Sequence, residues 1–599
     1  MRAMPAGDAD QFEALHLAAL ARLQQRDYET GVKLMVAALR VNPSAAEAWA
    51  NLGLALAALD RHDDAIASFD RALLIMPDIA EVLCSRGVSL ARLDRHADAL
   101  ASFDQALAIR PDYPETLYNR GVMLAHFERH AEAVASYDRA LAIDPSHAKA
   151  LNNRGNALGH LGRNEDAIAS FDAALAIRPD FVEAWVNRGL TRAELGRHHA
   201  AMADFDRALA LDPDHAEALF NRATALVRLD RPEDAIASFD QALAIRPHWA
   251  DAVANRGAAL VSLNRQAEAI ADFRRASAIE PDHAEANCNE ALAWLRLGEF
   301  RRGFAKYESR WALPELVAQR RTFPQPLWLG GETLRGKTIL LHAEQGLGDT
   351  LQFVRFAPLV ARSGAHVVLE VQPPLERLMS GIEGISRIVG KGNPLPEFDV
   401  HCPLLSLPLA FGTERDSVPA EVPYIVAPAL HAAKWRARLG EPTSPRVGFA
   451  WAGSPTNRND RNRSIALAAL AALVSVPGIE LVSIQKDLGE TERELLCAFA
   501  QVTHVGDELE DFADTAAVMS LMDLVVSVDT SVAHLAGAMA RPLWLLLPFA
   551  PDFRWMLDRE DSPWYPTARL FRQPSIGDWD SVLARVQTEL GGWAAENAE

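Results

Sequence analysis

From Ala46 to His283 apolar residues recur at steps of three and four, and the whole pattern then repeats. The stretches Ala46–Leu59 and His62–Ile75 each put apolar and small residues on one face. That spacing predicts two amphipathic helices, joined by a short turn holding Asp60 and Arg61. Pro43, Pro77, Pro111, Pro145, Pro179, Pro213, Pro247 and Pro281 stand 34 residues apart, each stopping a second helix. Phe69, Phe103, Tyr137, Phe171, Phe205, Phe239 and Phe273 keep the same period, as do Gly53, Gly87, Gly121, Gly155, Gly189, Ala223 and Gly257. One helix pair cannot bury its own apolar face, so the units must stack into an all-α solenoid.

Small residues at positions 8, 20 and 27 of the unit, an aromatic at 24 and proline at 32 resemble the tetratricopeptide repeat. Seven well-formed units run from Ala46 to His283. A degenerate unit occupies Phe12–Ala45, and a weak last one follows Ala284, with Trp294 and Tyr307 in register and Gly303 in place of alanine. The expected superhelix is residues 12–316, about nine units, its end units atypical as caps are. On the first helix of each unit Asn119, Asn153, Asn187, Asn221, Asn255 and Asn289 form one row, continued at Asn51. An amide both donates and accepts, so such a row can hold the backbone of an extended peptide. It resembles the asparagine ladder in the repeats of protein O-GlcNAc transferases; the alternative is an architectural row bonding neighbouring helices. Beside it run Arg86, Arg120, Arg154, Arg188, Arg222 and Arg256. Asp70, Asp104, Asp138, Asp172, Asp206 and Asp240 recur on the second helices, so an Arg–Asp ladder that stitches the stack is the expected role.

The period ends near Trp311, and a connector with Pro324, Pro326 and Gly330–Gly331 (residues 317–331) follows. Short apolar runs then alternate with helical patterns, which predicts α/β structure. Strands are expected at Lys337–His342, His366–Val371, Val400–Pro403, Arg446–Trp451, Glu480–Ile484, Leu524–Val528 and Leu543–Leu547. Helices are expected at Thr350–Arg362, Ala466–Val474, Asp514–Leu521 and Val532–Ala540. Two Rossmann-like halves, 332–432 and 440–595, would then face a cleft.

Three pieces are specific: Gly346–Asp349 (GLGD), Trp451–Ser464 (WAGSPTNRNDRNRS) and Val526–Pro542 (VSVDTSVAHLAGAMARP). In this order they resemble family 9 glycosyltransferases, the heptosyltransferase type with the GT-B fold, over roughly residues 336–595. The resemblance implies a metal-independent, inverting transfer of a hexosyl or heptosyl unit from a nucleotide-sugar donor, with no cofactor. Thr530 and Ser531 open a helix whose free N–H groups and dipole suit phosphate oxygens. Asp529 can accept sugar hydroxyls, and His534 can donate to a phosphate. Arg461, Arg463 and Lys486 are the available cations, and such a clamp on developing charge is worth roughly 3–4 kcal/mol. Asp349 matches the family's proposed general base, with an N-cap role as the alternative. His342 and Glu344 are neighbouring alternative bases. Asp578-Trp579-Asp580 spells a metal-binding triplet but reads as a helix start, so no metal is expected.

Sixty Lys and Arg against 80 Asp and Glu leave a net charge of −20, which disfavours nucleic acid and anionic membranes as partners. The four cysteines are far apart and form no C-x-x-C pair, as suits a reducing compartment. The N-terminus lacks an apolar signal core and no stretch is long enough to span a membrane, so a cytoplasmic protein is expected. The leading expectation is a glycosyltransferase whose repeats capture a protein acceptor. A scaffold or adaptor with a non-catalytic nucleotide-sugar-binding module is the alternative, as is an enzyme acting on a glycan or lipid.

Overall fold

The computed structural model describes residues 6–455 and 459–597. Thr456–Arg458 of the motif Trp451–Ser464 therefore lie outside the described residues. The chain folds as two compact units, residues 1–229 and 230–599.

The first unit is a helical solenoid. Its helix pairs follow the period, for example Ala46–Ala58 with His62–Ile75 and Ala80–Arg92 with His96–Ile109. The repeated aromatics fill each pair: Phe69, Phe103, Tyr137, Phe171 and Phe205 are at most 1 % exposed. Burial of one such ring stabilises by about 1.5–3 kcal/mol. A Cβ at Gly53 would lie 2.5 Å from the Phe69 ring, so the small residue is a condition of the close approach. The arginine row is the expected stitch. Arg86 Nε donates to Asp70 Oδ1 at 2.6 Å and its Nη1 to Ser102 Oγ at 2.6 Å, so one guanidinium ties two successive second helices. Arg120 and Arg154 repeat both bonds, Arg188 pairs with Asp172 and Asp204, and Arg222 with Asp206.

The second unit opens with the helix Pro232–Ile245 and two further helix pairs, Ala250–Ser262 with Gln266–Ile279 and Ala284–Arg296 with Phe300–Tyr307. Arg256 pairs there with Asp240 and Asp272. The turn between paired helices takes a left-handed residue at Asp230, Asn264 and Gly298. All three turns meet the α/β part. Asp230 accepts from Arg461 at 3.0 Å, Asn264 Nδ2 donates to the Phe549 carbonyl at 2.8 Å, and Gly298 abuts the Met556 side chain. The 34-residue period thus becomes a row of docking points.

The α/β part contains two parallel sheets. The strands are β1 Thr338–His342, β2 His366–Val371, β3 Ile385–Gly390, β4 Val400–Pro403, β5 Arg446–Ala450, β6 Glu480–Ser483, β7 Val502–His504, β8 Leu524–Val528, β9 Leu543–Leu547 and β10 Ala568–Arg572. One sheet has the order β3-β2-β1-β4 and the other β10-β9-β8-β5-β6-β7. The strands β3, β7 and β10 are additions to the sequence reading. The connector is part of the first sheet's edge, because Trp328 N–H donates to the His401 carbonyl at 2.8 Å. The end of the repeats is anchored by Arg310, which is fully buried. It reaches Glu344 at 3.0 Å, Glu308 at 2.7 Å and Ser406 at 2.8 Å.

One expected helix is differently built. Instead of starting at Thr350, it runs Leu347–Phe353, passes through a tight turn, and resumes at Ala357–Arg362. Pro358 has no N–H for the Val354 carbonyl, so the helix cannot continue unbroken through that turn. Asp349 consequently sits inside the first turn, where its Oδ2 accepts the Gly346 N–H at 2.8 Å. The Asp578 triplet is a helix start: Asp578 Oδ1 accepts the Ser581 N–H at 3.0 Å.

Candidate functional site

Each sheet reverses its strand order once, between β1 and β4 in the first and between β5 and β8 in the second. Ligands of open parallel sheets bind outside the carboxyl ends of strands at such reversals. The loop after β1 carries Glu344 to Asp349, the loop after β5 carries Arg461 and Arg463, and β8 runs into Asp529 and Thr530. The Leu347–Phe353 helix packs against the Ser531–Ala538 helix, so these ends face one another. Gly348 is where they touch: a Cβ there would lie 2.8 Å from His534 Cδ2.

The start of the Ser531–Ala538 helix is open. Thr530 stands at the N-cap in an extended conformation, but its side chain caps no N–H and lies 3.4 Å from Ser527 Oγ. The N–H groups of Ser531 and Val532 find no acceptor among the described residues. Asp529 beside them is 12 % exposed at its side chain, and burial followed by the charge of Asp552 pushes its carboxyl up to about 6. His534 lies one turn along. Its Nδ1 is 2.9 Å from Tyr565 Oη, its ring stacks on Trp555 at 5.4 Å, and its Nε2 is 4.0 Å from Asp529. Burial, reinforced by Arg554, holds this imidazole neutral.

The three expected cations are committed to the chain itself. Arg463 Nη1 donates to the Asp529 carbonyl at 2.8 Å, linking the β5 and β8 loops. Arg461 pairs with Asp230, and Lys486 Nζ donates to the Leu509 carbonyl at 2.9 Å. Asp349 is ion-paired with Arg554. Burial pushes the Asp349 carboxyl up, against the pull of that guanidinium. Arg554 also bonds Gln352 Oε1 at 2.5 Å and Asp552 Oδ1 at 2.7 Å. These three residues, Gln352, Asp552 and Arg554, were not legible as site residues: no spacing in the sequence brings residues 352 and 552–554 together.

The alternative bases serve the interior. His342 is 3.2 Å from His401 and, buried, is pushed down to about 3. Glu344 holds Arg310 through both oxygens and accepts the Leu405 N–H at 3.2 Å.

All six asparagines expected to hold a peptide are partly exposed. Asn153 Nδ2 donates to Tyr118 Oη at 3.3 Å and Asn187 Nδ2 to Asn152 Oδ1 at 3.0 Å, both architectural bonds. Asn221, Asn255 and Asn289 form no side-chain hydrogen bond among the described residues, and Asn119, at the start of the row, meets the Cys84 thiol. Among the described residues there is no cluster of three or more metal-ligating side chains, and no helix is long and apolar enough to cross a membrane.

Comparison with known proteins gives the class of the repeats. Two tetratricopeptide-repeat models match, one at residues 16–80, 84–148, 144–181, 152–216 and 186–250, the other at 250–283. Residues 16–283 carry tetratricopeptide repeats, and an α/β part follows them. A curated relative is Protein FlbA of Caulobacter vibrioides (strain ATCC 19089 / CIP 103742 / CB 15), 26 % identical over 329 residues. The match covers 50 % of this chain and 54 % of FlbA, so the chain spans about half the length of that relative. Among solved structures, YrrB, described as a TPR protein with an unusual peptide-binding site, is 24 % identical with a TM-score of 0.29. That match covers 31 % of this chain and 95 % of YrrB. A tetratricopeptide repeat protein from Parabacteroides merdae ATCC 43184 is 19 % identical with a TM-score of 0.34, covering 41 % of this chain and 98 % of its own.

Proposed function

We propose that this chain is a protein-binding TPR scaffold whose α/β part holds a nucleotide-sugar-type ligand in the crevice between its two sheets. One observation carries the ligand: the uncapped start of the Ser531–Ala538 helix at the strand-order reversal, with buried Asp529 beside it. Free N–H groups and the helix dipole there favour a phosphate, and Asp529 can accept a sugar hydroxyl. The two-sheet arrangement is what a GT-B module would need, and Asp349, Arg463 and Asp529 of the motifs that resemble family 9 glycosyltransferases follow the ends of β1, β5 and β8. The partner of the repeats is a polypeptide, held in the second unit by the amides of Asn255 and Asn289, whose hydrogen-bonding capacity is unspent.

Sugar transfer is the second reading, favoured by the partly buried Asp349 carboxyl on the opposite wall. Its ion pair with Arg554 supports the scaffold reading first, because a general base must be free to take a proton. Transfer requires Arg554 to release it, for instance to a ligand phosphate.

The test is a thermal-shift and calorimetric screen of the full chain against nucleoside diphosphates and their sugars, followed by assay of sugar release. Binding that is lost in Asp529→Ala, with no turnover, fits the scaffold. Turnover that falls by roughly 10²–10⁴-fold in Asp349→Asn fits the transferase. The absence of any binding removes both.

A further inference from the structure

The helix Ala284–Arg296 belongs to the repeats, yet it packs on the segment Phe553–Trp555 that carries Arg554. Arg296 ends that helix beside Asp552. It forms no hydrogen bond and no ion pair among the described residues, and its Nε is buried. A partly buried guanidinium with a buried, unbonded Nε has hydrogen-bonding capacity to spare. Asp552 lends it charge but no hydrogen bond, because its Oδ1 serves the Arg554 side chain and backbone N–H.

A second donor nearby lacks a partner. Gln352 gives its Oε1 to Arg554 and leaves Nε2 buried without an acceptor. Trp555, stacked on His534, directs its buried Nε1 toward Asp529. Buried donors are nearly always satisfied, so two beside one Arg554–Asp552 pair mark a place for an acceptor-rich group.

We infer that Arg296, supplied by the last repeat, is the cation that meets the phosphates of the crevice ligand, with Gln352 donating alongside. This rests on the ligand reading above and replaces the cations expected from sequence, which the chain uses internally. It makes the ligand site a joint product of the repeats and both sheets, so the α/β part alone holds an incomplete site.

The experiment uses the full chain with UDP, GDP, ADP, CDP and dTDP as probes, in wild type, Arg296→Met, Arg296→Lys and Asp529→Ala. Methionine fills similar space without charge. Removing a partly buried charge that forms no hydrogen bond leaves the ligand-free melting temperature of Arg296→Met unchanged or higher. Its affinity for the diphosphate that wild type binds falls about tenfold to a hundredfold, the loss expected of a charge-assisted hydrogen bond. Arg296→Lys recovers part of it. If Arg296→Met binds like wild type while Asp529→Ala does not, the role of Arg296 is overturned and the ligand reading stands. A markedly lower ligand-free melting temperature for Arg296→Met also overturns it, since the guanidinium would then be structural. If wild type binds none of the probes, both fall together.

Discussion

Arg554 closes an ion pair on Asp349 and so joins the segment after β9 to the loop after β1. The same guanidinium satisfies Gln352 and Asp552. Arg554→Leu strands two carboxylates and an amide at once, and a broken buried pair costs about 3–5 kcal/mol. A large fall in the melting temperature of the second unit is expected. Asp349→Asn, which keeps an oxygen for the Gly346 N–H, is expected to lose clearly less. Differential scanning calorimetry on the two variants checks the order.

Gly348 sits where no side chain fits against His534. Gly348→Ala forces the two helices apart, at about 1–3 kcal/mol for overpacking. Ligand binding is expected to weaken with it, read by calorimetry against Gly348→Ser and wild type.

Asp529 carries a pH signature. Its folded carboxyl titrates near 6, raised from the ordinary range by burial first and Asp552 second. A raised carboxyl binds its proton more tightly in the folded chain. The cost of ionising it is therefore absent below about pH 4, where both states are protonated, and complete above about pH 6. Asp529→Asn is expected to stabilise the second unit by about 2–3 kcal/mol at pH 8 and to lose that gain as the pH falls from 6 to 4. Melting curves at pH 8, 6 and 4.5 measure it. A gain that grows toward acid would contradict the assignment.

The two rows on the repeats separate in the same kind of measurement. Arg154 spans Asp138 and Ser170, so Arg154→Ala is expected to cost about 1 kcal/mol of solenoid stability. Joint replacement of Asn255 and Asn289 by Ala removes no internal bond. Stability should hold while capture of an extended peptide weakens, at about 0.5–1.5 kcal/mol per amide. A lower melting temperature with unchanged capture would make the asparagines architectural.

The repeats were legible because one period fixes helix ends, aromatics and turns together, and the Arg–Asp stitch repeats with it. The central strands were legible as short apolar runs. The strands β3, β7 and β10 were not: Ile385–Gly390 and Ala568–Arg572 carry arginines, and Val502–His504 is very short. The site divides the same way. Asp529, Thr530 and Asp349 lie where a strand hands over to a helix, a local signal. Arg461, Arg463 and Lys486 were chosen for charge and position, yet their partners Asp230, the Asp529 carbonyl and the Leu509 carbonyl depend on the folded chain. Arg296 and Arg554 enter from segments more than 250 residues apart, which only packing brings together.

The central claim is that the open start of the Ser531–Ala538 helix holds the phosphate of a nucleotide ligand. A crystal structure of the full chain with the tightest-binding diphosphate tests it most directly. The account predicts phosphate oxygens about 3 Å from the Ser531 and Val532 backbone nitrogens, with Arg296 in contact. Density for the nucleotide away from these groups, with the helix start solvated, would contradict it.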